Sequence, residues 1–139
     1  MANEEEINWP YTDSPYLGIR LRTPSGREHP LVNEEELVMI DTGYTGEVFL
    51  PKDLYEELGF SLWEEPEPDE FILGDGSKMH LIASLGYILI PKLDFAPFPV
   101  RVHRAYKEEQ DTDRIIIGTQ FIKRFKLLLD GPTNKVRIL

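Results

Sequence analysis

The chain contains no cysteine. That excludes disulfides, thiol nucleophiles and thiolate metal sites, and it fits a cytoplasmic location. No apolar run approaches the roughly 20 residues that a membrane-spanning helix needs, so no membrane partner is expected. Positive charge is scarce, with 15 Lys and Arg against 25 Asp and Glu and a net charge of -10. A nucleic-acid surface needs clustered cations, so that class is excluded, and acidic partners should be disfavoured. Met1 to Glu6 is acidic rather than basic and then apolar, so no secretory signal is expected. There is no glycine-rich phosphate loop with a lysine. The glutamate runs at 34–36 and 64–70 lack the spaced Asp/Asn-Gly pattern of a calcium loop and read as solvated. His29, His80 and His103 have no ligand spacing and read as solvated or strand-face residues. The expectation is therefore no metal and no cofactor.

What the chain does have is a set of short strand signals. Its 139 residues suit one domain, and 41% apolar residues suffice for a core. Residues 1–14 are polar and acidic and read as an N-terminal arm outside the core, leaving 15–139 as the domain. Tyr16 to Arg22 alternates apolar and polar residues, as a half-buried strand does. Pro24-Ser25-Gly26 supplies a turn, with His29 to Val32 returning as partner and Asn33 to Glu36 as a solvated loop. Leu37-Val38-Met39-Ile40 is a continuous apolar run, the pattern of an interior strand. Pro51 to Gly59 predicts a short helix, with Leu54 and Leu58 on one face and Gly59 as its C-terminal cap. Ser61 to Glu70 reads as an exposed connection, Phe71 to Arg104 as mainly strand, and Arg104 to Arg114 as a charged surface loop. Thr119 to Phe125 predicts a second short helix, with Phe121, Ile122 and Phe125 on one face. Leu127 to Leu129 and Val136 to Leu139 read as strands joined by a turn at Asp130-Gly131-Pro132. The fold class is all-β with one or two short helices.

The interior strand runs straight into Asp41-Thr42-Gly43. A carboxylate buried at the end of a core strand is costly, and proteins keep one mainly where it does chemistry. Taken alone, Asp-Thr-Gly is also an ordinary strand-to-turn corner, and Gly74-Asp75-Gly76 an ordinary hairpin turn. Three blocks stand in order along the chain: 37–43 followed by Glu47-Val48-Phe49-Leu50-Pro51, then 71–81, then Ile115-Ile116-Ile117-Gly118 running into Thr119-Gln120-Phe121-Ile122. Together they resemble the retropepsin-like aspartic proteases, over residues 15–131. Tyr44-Thr45-Gly46 departs from the small residues usual there, and prokaryotic single-domain relatives with an aromatic after the glycine look closer.

The resemblance implies a barrel-like acid-protease lobe, one per chain, and an aspartic endopeptidase that hydrolyses peptide bonds. There is a single Asp-Thr-Gly and no internal repeat. A pair of carboxylates then demands a homodimer, with Asp41 of each chain across a two-fold axis. In this reading Asp41 is catalytic, Thr42 bonds across the dimer, and Gly43 permits a tight backbone. Residues 71–81 are implied to be a flap, with Gly74, Asp75 and Gly76 at its tip and Ile72, Leu73, Met79 and Leu81 as apolar walls. Ile116, Ile117 and Gly118 match the family's core motif. An extended peptide or protein segment is the implied substrate, and the two terminal strands are expected in the dimer interface. The alternative is a catalytically silent dimer of the same fold, serving as a peptide-binding or scaffold module.

Overall fold

A computed structural model describes residues 7–31 and 34–139. The expectations for Met1 to Glu6, Val32 and Asn33 lie outside the described residues. The chain is mostly β-sheet with few helices, in the order β1 (Trp9–Pro10), β2 (Tyr16–Arg22), β3 (Glu28–His29), β4 (Glu36–Ile40), β5 (Val48–Phe49), α1 (Lys52–Leu58), β6 (Asp69–Ile72), β7 (Lys78–Leu89), β8 (Phe98–Ala105), β9 (Ile116–Ile117), α2 (Thr119–Ile122), β10 (Leu127–Asp130) and β11 (Lys135–Ile138). The large sheet runs β3-β2-β4-β9-β5-β8-β7-β6. A further pairing of β2 with β7, with Leu21 opposite Ile88, closes the strands from β2 through to β7 into a ring.

Alternation explains which side faces in. Leu17, Ile19 and Leu21 of β2 are all buried, as are Val38 and Ile40 of β4 and Val100 and Val102 of β8. Phe121 of α2 caps this core, with Phe98 and Phe125 edge-on to its ring at 5.6 and 5.3 Å. Helix α1 keeps the expected punctuation. Pro51 precedes it, and Gly59 takes φ +85° and donates its N–H to the Glu56 carbonyl at 3.0 Å. Glu36, expected in the loop, is already part of β4, and Asp69 and Glu70, expected in the exposed connection, open β6.

One expectation needs correction. Residues 7–14 are not a free arm: Trp9 is 1% exposed, and β1 pairs with β11 through Trp9 opposite Val136. An aromatic side chain that large gains several kcal/mol by burial, about 25 cal/mol per Å² of apolar surface, which outweighs the polar character of its neighbours. The C-terminal strand β11 has a neighbour on each side: in the small sheet β1-β11-β10 it lies in the middle, and β1 and β10 are the edges.

Candidate active site

Strand β4 delivers Asp41, lying between antiparallel β2 and parallel β9. β9 runs beside β4, with Ile40 opposite Ile117, and the Asp41 N–H donates to the Ile117 carbonyl at 2.9 Å. The chain then turns, the Tyr44 N–H bonding back to the Asp41 carbonyl at 3.1 Å. The Asp41 side chain is half-buried rather than buried, and one Oδ1 accepts the Gly43 N–H at 2.9 Å. A Cβ at position 43 would sit 3.1 Å from that oxygen, so the glycine leaves the carboxylate its space. Thr42 and Gly43 are exposed. The carboxylate therefore borders solvent in the single chain, and the cost expected from burying it is not incurred there.

Asp41 opens onto a hollow of about 170 Å³ whose walls are mostly apolar: Tyr44, Phe49, Phe71, Leu81 and Ile116 among them. Ile72, Leu73 and Met79 also line it, so all four expected wall residues of the 71–81 segment gather at Asp41. The β6–β7 hairpin carries them, with Phe71 opposite Met79 and Ile72 opposite Lys78. Its tip is a tight turn. The Gly76 N–H donates to the Leu73 carbonyl, and the Ser77 N–H and hydroxyl both donate to the Asp75 carboxylate, at 2.8 and 2.6 Å. Gly74, Asp75 and Gly76 thus shape the turn and do not line the hollow. Ile72 is 75% exposed, so the hairpin projects beyond the wall it forms.

Of the Ile116-Ile117-Gly118 block, Ile116 borders the hollow, Ile117 is fully buried in the core, and Gly118 is a packing position. A Cβ on Gly118 would collide with the carbonyl oxygens of Tyr44 and Gly46. On the other side of Asp41 lies a second hollow of about 460 Å³, lined by Thr42, Ile122, Leu127 and Leu129 among others. Among the described residues no group of three or more His, Asp or Glu could hold a metal ion, and no helix is long and apolar enough to cross a membrane.

One cluster was not legible in the sequence. Tyr44 Oη lies 2.5 Å from His103 Nδ1, and His103 Nε2 lies 2.7 Å from the Asp69 carboxylate. Arg101 holds the same carboxylate at 2.8 Å and Glu65 through a second pair of bonds. His103, expected to be solvated or on a strand face, is 2% exposed. Burial pushes its pKa down and outweighs the Asp69 carboxylate, which pulls the other way. Burial likewise drives the Tyr44 hydroxyl well above the usual phenol range, so it stays protonated. Partial burial pushes Asp69 up, but its hydrogen bonds from His103 and Arg101 win and hold it below the ordinary carboxylate range. The signal was hidden because His103 alternates with the core residues Val100 and Val102, which puts it on the other face of β8. That face is covered only once the hairpin brings Phe71 over it.

No protein-family model matches the chain. An uncharacterised protein of Archaeoglobus fulgidus is similar to it, 29% identical over 103 residues, which cover 73% of this chain and 75% of that protein.

Proposed function

We propose that two copies of this chain form an aspartic endopeptidase of the retropepsin type, each copy a barrel-like lobe that contributes one Asp41. The observation that carries the reading is Asp41 standing at the mouth of an apolar hollow walled by a projecting hairpin. Its Oδ1 accepts one N–H from Gly43, which leaves Oδ2 for a second group. Two such carboxylates a few ångströms apart share one proton, because like charges at that distance cannot both ionise at low cost. One then takes a proton from water while the other gives its proton to the peptide carbonyl. Ile72, Leu73, Met79 and Leu81 offer apolar contacts to alternate side chains of an extended peptide.

A second copy has a surface to meet. Exposed Thr42 adjoins Ile122, Leu127 and Leu129 on the hollow beyond Asp41, and Leu129 is 42% exposed on the edge strand β10. Covering that edge brings the two Asp41 loops together.

The test digests a broad peptide library with the wild type and with Asp41→Asn, while sedimentation follows the dimer. The amide keeps the side-chain shape but cannot accept the proton from water, and it removes charge repulsion across the axis. Cleavage should vanish while the dimer persists. A purified variant with more than about a hundredth of the wild-type rate, beyond what loss of an essential acid–base group leaves, overturns the assignment. Peptide binding without cleavage by the wild type would replace it with a binding module.

A further inference from the structure

We propose that Tyr44, His103 and Asp69 are positioning residues that tie the base of the β6–β7 hairpin to the loop bearing Asp41, so that hairpin and carboxylate meet a substrate in one register. The proposal rests on reading this site as proteolytic. The hairpin needs such a tie because β6 is the edge strand of the large sheet, with a neighbour on one side only. Asp69, the first residue of β6, reaches past β7 to β8, where it meets both His103 and Arg101. Phe71, two residues further on, lays its ring edge-on against His103 at 5.3 Å and lies 6.0 Å from Tyr44.

The other end of the tie is the catalytic loop itself. Tyr44 belongs to that loop by its backbone, its N–H bonding the Asp41 carbonyl and its carbonyl accepting the Thr119 N–H at 3.0 Å. It belongs to the hairpin's anchor by its side chain. One residue therefore fixes the position of both.

The direction of each bond follows from chemistry. An ionised Asp69 only accepts, so His103 Nε2 carries the proton and donates to it. His103 Nδ1 is then a bare lone pair and accepts from the Tyr44 hydroxyl. The chain runs Tyr44 to His103 to Asp69 with each donor and acceptor matched. Arg101 locks the far end by splitting its guanidinium between Asp69 and Glu65, and Glu47 holds the Arg101 N–H at 2.8 Å and Arg124 at 2.8 Å. Among the described residues, the charges around the cluster are paired, Asp69 and Glu65 with Arg101 and Glu47 with Arg124, and these pairs hold the three residues in place.

The test compares wild type with His103→Gln and Asp69→Asn, using a statine-containing peptide as the site probe. His103→Gln keeps a donor toward Asp69 but no longer places an acceptor at the Nδ1 position that the Tyr44 hydroxyl uses. Asp69→Asn keeps an oxygen acceptor for His103 and loses the charge. In the free protein, amide exchange over residues 70–81 should quicken in His103→Gln by about 3- to 10-fold, the factor one neutral hydrogen bond supplies, and at least as much in Asp69→Asn, which weakens the charge-assisted bonds to Arg101. Exchange in β2 should not change. On a cleaved peptide the loss should fall on KM more than on kcat, since the hairpin holds substrate while Asp41 does the chemistry. Hairpin exchange equal to wild type in both variants, or a rise spread evenly over the whole chain, overturns the proposal. Should both variants fail to fold, nitrogen shifts of wild-type His103 decide: the proton on Nε2 supports the tie, and the proton on Nδ1 refutes it. The two readings fail separately. Cleavage surviving in Asp41→Asn sinks the role of Asp41, and a wild type that does not cleave sinks the proteolytic reading, but both leave hairpin exchange as a measure of the tie, and an unmoved hairpin sinks the tie alone.

Discussion

Gly118→Ala is the substitution whose cost the structure specifies most closely. An added Cβ meets the carbonyl oxygens of Tyr44 and Gly46, and lies 2.6 Å from Cδ2 of the Tyr44 ring. Two of those three atoms are backbone and cannot swing aside as a side-chain end can. The Tyr44 carbonyl is also held by Thr119, and the Gly46 carbonyl by Gln120, so any retreat stretches two hydrogen bonds. Forcing a methyl into such a place costs about 3 kcal/mol, the upper end for an overpacked core. Alanine stiffens the unfolded chain and returns about 0.4–1 kcal/mol. The net loss is about 2 kcal/mol, which for a domain of this size lowers Tm by roughly 8 °C. Gly74→Ala is the control, because its Cβ meets nothing within 4 Å and its φ is ordinary. It should be neutral or slightly stabilising. Both variants are melted at one fixed protein concentration, since a dimer's Tm moves with concentration. If Gly118→Ala melts within about 2 °C of Gly74→Ala, the Asp41 loop gives way easily and its rigidity has been overstated.

Phe121→Ala removes a fully buried ring that packs on Phe98 and Phe125, and should cost about 3–5 kcal/mol in chemical denaturation; a loss under about 1 kcal/mol would mean that α2 does not cap the core. Acid should destabilise the wild type partly through His103. Its folded pKa lies below its unfolded value near 6.5, so the unfolded chain binds the extra proton first, and stability is lost as pH falls below about 6.5 until the folded pKa is passed. His103→Gln should flatten that part of the stability–pH curve, and an unchanged slope would remove His103 as its source. Peptide cleavage should be fastest at acidic to mildly acidic pH, as a singly protonated pair requires. The net charge of -10 sets up a negative field that salt screens, so added salt should draw the basic limb to lower pH. A rate rising steadily to pH 9 would rule out a shared proton.

Much of this protein is written locally. The alternation of Leu17, Ile19 and Leu21 determines β2 and the face it buries, because a strand repeats every two residues whatever surrounds it. Pro51 and Gly59 determine where α1 begins and ends, through a fixed φ at one and a left-handed φ at the other. The apolar run ahead of Asp41 likewise places that residue at the end of a strand, and the two glycines around Asp75 place a tight turn. Tertiary structure decided what those elements do to one another. Trp9 sits in a polar stretch, and only the groove beside β11 makes its burial favourable. β11 is read in the sequence only as the partner of β10 and is central in its sheet, because its second neighbour comes from the opposite end of the chain. His103 alternates with core residues and so should face water, until Phe71 and Tyr44 from distant segments close over it. Periodicity is a property of neighbours along the chain. Burial of the second face, and with it the protonation of His103 and Tyr44, depends on residues tens of positions away, and no local pattern encodes which of them will arrive.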